Sequence, residues 1–376
     1  MKNKDMFRVC TTNRSCEMRK LNAMPTALNR NLIRLLLLTY VLYSCAVLAD
    51  EWNSVKVSDG AVPFTAKWCG EVDKIVWQSP VSGIHLATLG GESSVIKEVT
   101  SSWQHTKPFC SPDGRYVFFF DTTSSPALTR VIDTWTKKIQ IVNGLNKKLV
   151  LSRDFQFALT TEGTDRWIKL PWGKKLEVVH VSPSLPGYFA PRIHSISPNA
   201  KKALLVFVKA PQKGGVAKDV FFACLDVESG AITLLSSLKH AADAKFSVVG
   251  NYLYVSAITN FQEVQKGGVL GLMDLYRLNV NELSDTPVRV ASGIRGFDVA
   301  ANQVALLVKD ASGSKISLTD LNGNLVQEIG KFNWEIDQIS FSADSNSMLA
   351  ARVVPDVIDG PEGPAISRDI LLISRE

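Results

Sequence analysis

The stretch Phe109-Cys-Ser-Pro-Asp-Gly-Arg-Tyr-Val-Phe-Phe-Phe120 decides the fold class of this chain. A short polar turn stands between two apolar runs, each of the length and composition of a buried strand. Proline fixes φ at the start of the turn and glycine tolerates a positive φ, so Pro112-Asp-Gly114 is typical of a tight hairpin. The stretch therefore predicts two antiparallel strands joined by a tight turn.

The same unit recurs along the chain after Asp50. A serine opens each turn and an apolar residue follows five or six positions later, at Ser111, Ser152, Ser197, Ser247 and Ser342, with weaker copies at Gly70 and Val299. Successive copies are about 40–50 residues apart, the length of a four-stranded propeller blade. A second polar turn follows within the units, as at Leu225–Gly230 and Leu318–Gly323. Two hairpins in each unit predict four strands in each unit.

The repeat predicts an all-β fold, a β-propeller of four-stranded antiparallel blades. Seven copies predict seven blades, with six as the alternative if Gly70 or Val299 does not mark a true blade. The last unit holds only three strand runs, Ile336–Phe341, Ser347–Val354 and Asp369–Ser374. We expect Asn53–Ser58 to supply the fourth strand, so that the N-terminal strand pairs with the last blade and closes the ring.

The net charge of +6 belongs entirely to residues 1–49. That segment carries eight Lys or Arg and two acidic residues, while the remainder holds 34 basic and 34 acidic residues. A nucleic-acid-binding domain needs clustered Lys and Arg to neutralise phosphates, and residues 50–376 have no basic stripe. We therefore expect no nucleic-acid partner.

The apolar run Leu35–Leu48 follows Arg30 and Arg34 and is too short to span a bilayer comfortably. It predicts a secretory signal in residues 1–49, cleaved after Ala49, with residues 50–376 as a single propeller domain. Met24 is an alternative start that gives a signal of ordinary length. The predicted location is periplasmic or secreted.

Leu42-Tyr-Ser-Cys45 offers a second interpretation of the leader, because it is similar to the lipobox of bacterial lipoproteins. Lipidation of Cys45 would make the protein a membrane-anchored lipoprotein, and an uncleaved anchor is the third alternative. Contact with a membrane is expected only through such an anchor.

Three cysteines remain after the leader, namely Cys69, Cys110 and Cys224. Their number and spacing fit neither a dense disulfide framework nor a structural zinc site. Cys69 and Cys110 occupy equivalent places in adjacent repeats, so a disulfide between them is one alternative. We expect instead that both are small buried apolar side chains.

The phrase Ser111-Pro-Asp-Gly-Arg-Tyr-Val117, with decayed copies from Ser197 and Ser342, resembles the repeats of the TolB-like propeller superfamily, the PD-repeat or WD-like propellers. Related repeats form the propellers of prolyl oligopeptidases, dipeptidyl peptidases and oligogalacturonate lyases. The resemblance covers residues 50–376 and is more specific to the fold than to a function.

Catalytic motifs are missing from the sequence. A peptidase of the oligopeptidase type needs a Gly-x-Ser-x-Gly elbow in a separate domain, and none occurs. Lys213-Gly-Gly215 and Lys266-Gly-Gly268 lack the spacing of a phosphate-binding loop. Resemblance to oligogalacturonate lyases implies an alternative, a divalent metal held by His105, His194 and His240 near the channel.

A binding surface is predicted from residues that enter the innermost strands. The candidates are aromatic and cationic side chains and histidines: Trp103, His105, Tyr188, Arg192, His194, His240 and Trp334, with Trp172 and Phe189 as weaker members. Packing between blades is the competing explanation for the aromatic residues. Three insertions, 210–219, 259–270 and 355–366, are expected between second and third strands, on one side of the ring.

The function predicted from these patterns is that of a non-enzymatic propeller, a monomer without a cofactor that binds an envelope protein or glycan. The alternative is a metal-assisted polysaccharide lyase or hydrolase. Stoichiometric metal that depends on the histidines would separate the two functions.

Overall fold

The computed structural model describes residues 52–58, 66–69, 74–79, 83–89, 93–97, 105–111, 113–121, 128–141, 149–151, 157–162, 164–169, 186–189, 191–199, 201–209, 220–259, 272–283, 286–342, 344–360 and 363–375. All of them belong to one compact unit, Glu51–Glu376. The predicted leader, residues 1–49, lies outside the described residues. No helix long and apolar enough to cross a membrane occurs in the described part of the chain.

Regular structure in the described residues is entirely β, as the repeat predicts. The strands in chain order are β1 (Trp52–Lys56), β2 (Lys67–Trp68), β3 (Lys74–Ser79), β4 (Gly83–Thr88), β5 (Ser93–Lys97), β6 (His105–Cys110), β7 (Tyr116–Asp121), β8 (Leu128–Asp133), β9 (Ile139–Ile141), β10 (Leu149–Leu151), β11 (Phe157–Glu162), β12 (Thr164–Lys169), β13 (Arg192–Ile196), β14 (Lys202–Val208), β15 (Val220–Asp226), β16 (Ile232–Leu234), β17 (Ala241–Phe246), β18 (Tyr252–Ile258), β19 (Met273–Asn279), β20 (Val288–Val299), β21 (Gln303–Asp310), β22 (Gly313–Asp320), β23 (Leu325–Phe332), β24 (Ile336–Phe341), β25 (Ser347–Gly360) and β26 (Gly363–Arg375).

Consecutive strands pair antiparallel in small sheets. The sheets are β2 to β5, β6 to β9, β10 to β12, β13 to β16, a seven-stranded sheet of β17 to β23, and β24 to β26 with β1. Within the long sheet, the start of β20 pairs with β19 and its end pairs with β21. Trp52–Lys56 pairs with β26, as expected of the N-terminal strand.

The strand that enters each repeat turn is called a first strand here, and the first strands are β2, β6, β10, β13, β17, β20 and β24. Most of them lie beside the next one. β2 contacts β6, β10 contacts β13, β13 contacts β17, and β20 contacts β24. β24 also contacts β2, and the indole Nε1 of Trp68 donates a hydrogen bond of 2.9 Å to the carbonyl of Ser340. The last sheet is therefore in direct contact with the first.

The serine that opens each repeat stabilises its turn. Ser111, Ser197, Ser247 and Ser342 each accept, through Oγ, the backbone N–H five residues on, at 2.8, 2.9, 3.1 and 3.0 Å. The four serines are buried, so this bond satisfies polar groups that water cannot reach. Ser152 lies outside the described residues.

From the sequence, the two weak copies of the repeat were each placed one residue away from their true position, one late at Gly70 and one early at Val299. The N–H of Cys69 donates to the carbonyl of Lys74 at 2.9 Å, which matches the bond from Ser111 to Tyr116 at 2.8 Å. Cys69, rather than Gly70, therefore takes the place of the serine. Ala300, rather than Val299, does so in the other copy, where its N–H donates to Gln303. Neither residue has the hydroxyl that marks the turn.

Cys69 and Cys110 form a disulfide, with their Cα atoms 5.0 Å apart. The expectation of two unlinked thiols is therefore wrong. Cys69 follows β2 directly, Cys110 ends β6, and the contact between these strands brings the two side chains together. Cys224 is free and buried, and burial raises the pKa of its thiol to about 11.

Apolar side chains fill the space between neighbouring sheets. One core lies between the sheet of β13 to β16 and the strands after it, around Leu204, Phe222 and Leu253. Another joins the first and last sheets through Ile75, Trp77 and Ile370. In these cores, the faces of neighbouring sheets are buried against one another.

The predicted insertions connect second and third strands as expected. Residues 210–219 join β14 to β15 and residues 260–271 join β18 to β19, and both segments lie outside the described residues. The third insertion was predicted as a loop, 355–366, but most of it is strand. β25 runs to Gly360 and β26 begins at Gly363, with a register shift between Val354 and Val357 that accommodates Pro355.

Candidate functional site

Five first strands carry a polar residue at the same position, which defines the inner layer: Lys67, Ser195, Lys245, Asp298 and Ser340. In each first strand, this polar residue stands immediately before the residue that pairs with the second residue of the next strand. Phe246, which follows Lys245, pairs with Leu253, and Phe341, which follows Ser340, pairs with Met348. The same register holds at Trp68 with Ile75, Ile196 with Ala203, and Val299 with Val304. Because the first strands lie side by side, these five positions form one level of the fold.

The first strands also carry bulges just before the inner layer. The register shifts at His194 in β13, Ala242 in β17, Arg295 in β20 and Asp337 in β24. A bulge adds one residue and turns its side chain away from the regular alternation. Three of these four extra residues are ionisable, so the bulges place charged groups beside the inner layer.

Lys245 and Asp298 form the central ion pair of the inner layer. The Lys245 ammonium donates to Asp298 Oδ1 at 2.8 Å and to the carbonyl of Phe297 at 3.1 Å. The other carboxylate oxygen, Oδ2, accepts the backbone N–H of Phe341 at 2.6 Å. Side chains and backbone from β17, β20 and β24 are therefore connected through one carboxylate.

His194 is held against β17 by two acceptors. Its Nε2 lies 3.1 Å from Asp243 Oδ1 and 2.9 Å from the carbonyl of Ala244. Because both partners accept, Nε2 carries the hydrogen and donates. The imidazole also packs edge-on against Phe222, with ring centroids 5.1 Å apart. The histidine is therefore fixed in orientation.

The ammonium of Lys67 stands near that of Lys245. Burial lowers the pKa of Lys67, and the charge on Lys245 lowers it further. Lys245 itself is stabilised as a cation: burial acts to lower its pKa, but the carboxylates of Asp298 and Asp243 outweigh burial and raise it. For Asp243, burial acts to raise the pKa, but hydrogen bonding to His194 and the charge of Lys245 hold it below its ordinary value.

Two cavities adjoin at the inner layer and share Lys245, Gln338 and Ile339. The first, about 350 Å³, is lined by Lys67, Trp68, Ser340 and Phe341 as well. The second, about 510 Å³, is lined by Asp243, Ser256, Arg295 and Asp337 as well. Lys67 and Gln338 are exposed to this space although they lie on innermost strands. The volumes are in the range of small-molecule sites.

Two further ion pairs border the second cavity. Arg295 pairs with Glu335, and Arg368 donates from Nε and Nη2 to Asp337 Oδ2 at 2.7 and 2.6 Å. In these pairs each charge is offset by its neighbour. Lys67 is different: no carboxylate among the described residues pairs with it.

The residues predicted from the sequence are scattered. Tyr188 packs edge-on against Phe207 and Phe221, with centroids 6.0 Å apart in both pairs. Arg192 is exposed on β13. Trp334 packs against Phe332 and lies under the guanidinium of Arg352, 5.7 Å from the ring centre, which is a packing environment.

The predicted histidines reach different places. His194 contributes to the site as described above. His240 lies in the turn before β17, with a positive φ of 56°. The backbone of His105 begins β6, but its side chain, like all of Trp103 and Trp172, lies outside the described residues. Phe189 is exposed.

The metal ligands predicted from the sequence are His105, His194 and His240. Within the described ranges, no group of three or more His, Cys, Asp and Glu side chains is arranged to hold a metal ion. His194 uses Nε2 for Asp243 and Ala244, which leaves only Nδ1 as a ligand atom. The side chain of His105 lies outside the described part of the chain.

Lys67, Lys245, Asp243, Asp298 and Gln338 were missed by sequence reasoning. In a strand sequence, a polar residue is normally interpreted as lying on a solvent-exposed face. The polar residues of the inner layer could therefore not be distinguished from ordinary surface residues. A usable signal lies two residues before three of the turn serines: Ser195 precedes Ser197, Lys245 precedes Ser247 and Ser340 precedes Ser342 by that distance. The one-residue error at Cys69 and Ala300 concealed Lys67 and Asp298.

Comparisons with known proteins agree with the fold. No protein-family model matches the chain, and no curated protein matches its sequence. Among solved structures, it is similar to a prolyl endopeptidase from a study of two such enzymes, with a TM-score of 0.57 and 12% identity over 84% of this chain and 50% of that one. It is also similar to dipeptidyl peptidase 4 of Porphyromonas gingivalis, with a TM-score of 0.51 and 10% identity over 82% of this chain and 53% of the other.

At these identities the likeness concerns the fold alone. The chain spans about half the length of each of the two neighbours. The similarity to these two structures, together with the antiparallel sheets described above, shows that this chain has a propeller-like all-β fold.

Proposed function

We propose that the chain is an exported, closed seven-bladed propeller of the TolB-like kind, acting as a non-enzymatic binding scaffold whose ligand site is the inner layer. The observation that carries the proposal is the convergence of charged side chains from β2, β17, β20 and β24 on two adjoining cavities. Burying a charge costs free energy, so a first strand that served only the fold would be expected to carry uncharged residues at these positions.

Closure of the ring is supported from both ends of the chain. β1 pairs with β26, and the bond from Trp68 to Ser340 joins the first blade to the last. Seven first strands are available when the long sheet is counted as two blades sharing β20. A closed ring leaves only the outermost strands as edges, which is how propellers limit aggregation.

Export is supported by the disulfide between Cys69 and Cys110, because disulfides persist in oxidising compartments. The test is intact-mass analysis of the protein isolated from its envelope fraction. We expect a chain that begins at Asp50 and has lost two hydrogens to the disulfide. A chain found in the reduced cytosol with residues 1–49 retained would contradict export.

Binding is tested by native mass spectrometry of the purified protein. We expect a co-purified small molecule on the unmodified protein, absent from Lys245→Met and from Gln338→Ala. Lys309→Met, which removes an exposed lysine of β21, is the matched control and should retain the ligand. Equal occupancy in all four proteins would contradict a site at the inner layer. Stoichiometric metal that is lost from a His105→Ala, His194→Ala double variant would favour the metal-assisted enzyme instead.

A further inference from the structure

Among the described residues, Lys67 and Lys245 are the charged ones that line the first cavity. Lys245 is neutralised by Asp298, whose Oδ1 lies 2.8 Å away. Lys67 has no carboxylate partner among the described residues, and it lines the same cavity as Lys245, whose charge lowers the pKa of Lys67. Of the two cavity lysines, Lys67 is therefore the one without a direct ion-pair partner among the described residues.

The remaining walls of the cavity define the shape and polarity of a ligand. Gln338 offers an amide that is exposed to the cavity, while Ala66, Trp68 and Ile339 offer apolar surface. The acidic residues Asp243 and Asp337 line the second cavity, not this one. An anionic group thus fits at the lysine end, with an apolar group next to it.

We propose that the first cavity binds a small aliphatic monocarboxylate, whose carboxylate lies between the ammonium groups of Lys67 and Lys245. The inference rests on the proposed binding role and adds the chemical class of the ligand. A single negative charge matches the one lysine that lacks an ion-pair partner, whereas a phosphate dianion would bring two negative charges to it. A carboxylate also accepts hydrogen bonds from both ammonium groups at once.

The unpaired lysine has a cost in the free protein. Two neighbouring ammonium groups repel, and Lys67 loses hydration in the enclosed space. Proteins retain such destabilising groups where binding requires them. Removing Lys67 should therefore stabilise the ligand-free protein and weaken binding, which a purely structural lysine would not do.

The test is isothermal titration calorimetry of the full chain with butyrate, butyramide and inorganic phosphate. We expect saturable binding of butyrate and at least about tenfold weaker binding of butyramide and phosphate. Lys67→Met should weaken butyrate binding by about tenfold to a hundredfold, the range for a hydrogen bond to a charged group. Lys309→Met should bind butyrate as the unmodified protein does.

Thermal unfolding of the same proteins without ligand supplies the second readout. Lys67→Met should raise Tm by about 2 °C, because it removes the repulsion between the two neighbouring ammonium groups. Lys67→Gln repeats the test with a polar side chain. Butyrate that binds no tighter than butyramide, or binds equally well to both Lys67 variants, would overturn the inference, as would a Tm lowered in both.

Failure of this inference and of the binding role are distinguishable. If butyrate does not bind but a co-purified ligand still depends on Lys245, the inner layer binds another class of molecule and the monocarboxylate is wrong. If neither is observed, the binding role fails as well.

Discussion

At the scale of single residues, the turn serine and the residue three positions after it set the repeat. Gly114 and Gly250 occupy that later position with φ of 65° and 81°, in the left-handed region that glycine tolerates. Ser345 occupies it in the last unit with φ of 65°. Ser345 is strained in this conformation because it has a Cβ atom, whereas Gly114 and Gly250 have none.

Exchanging these residues should change stability in opposite directions. Gly250→Ala should lower the free energy of unfolding by about 1 kcal/mol, since a Cβ meets Pro198 and Asn199 only at ordinary contact distance and the cost is that of the backbone. Ser345→Gly should raise it by several tenths of a kcal/mol, less than the strain because glycine also gains freedom when unfolded. Denaturant unfolding of the two variants measures both. A stabilising Gly250→Ala would contradict the turn geometry.

The same residues explain what the sequence could predict. A serine followed by a short polar turn marks that turn through chemistry that is local, so Ser111, Ser197, Ser247 and Ser342 were identified correctly. Lys67 is part of the candidate site because it lines the same cavity as Lys245, which is 178 positions away on another strand. No local sequence pattern signals such a pair. Trp334 was given a binding role because packing and binding favour the same aromatic side chains.

At the scale of elements, the second hairpin of a blade depends on an aspartate at the end of its third strand. Asp226 Oδ2 accepts from Lys202 at 2.8 Å, and Oδ1 accepts from the backbone N–H and the hydroxyl of Ser229 at 2.8 and 2.7 Å. These bonds, that from Lys202 foremost, hold the pKa of Asp226 well below its ordinary value. Asp133 and Asp320 hold equivalent turns.

Stability should depend on pH through this carboxylate. A group whose pKa is depressed by folding contributes stability above its unfolded pKa of about 4, and that contribution is lost as pH falls through the folded pKa. Asp226→Asn should be less stable than the unmodified protein by about 1 kcal/mol at pH 7, and the difference should shrink below pH 4. Glu228→Gln, in the same exposed turn, is the control and should show no such difference. A gap between Asp226→Asn and the unmodified protein that persists unchanged at pH 2 would contradict the assignment.

The disulfide links elements of two neighbouring sheets, β2 and β6. Its 41-residue separation corresponds to about 4 kcal/mol of stabilisation through loop closure. The Cys69→Ser, Cys110→Ser double variant should lose stability of that order in denaturant unfolding. Cys224→Ser, which alters the free buried thiol, serves as the comparison and should lose less. An unchanged midpoint in the double variant would show that the disulfide does not form in solution.

At the scale of the whole molecule, the inner layer exists only if the first strands are brought round one axis. The repeat length and the antiparallel hairpins were predictable, since each depends on a few neighbouring residues. Convergence of charge was not, because it depends on how sheets distant in sequence meet. The contact of β24 with β2 and the pairing of β1 with β26 are the long-range interactions on which the site depends.

Hydrogen exchange of Trp52–Lys56, measured by mass spectrometry, tests the closed ring most directly. In a closed propeller these amides pair with β26, as Trp52 does with Arg375 and Lys56 with Leu371. We predict that the hydrogen-bonded amides of this strand exchange at least about a hundredfold more slowly than in an unstructured peptide. Exchange at the unstructured rate would mean that the N-terminal strand does not join the last blade, and would contradict the closed ring.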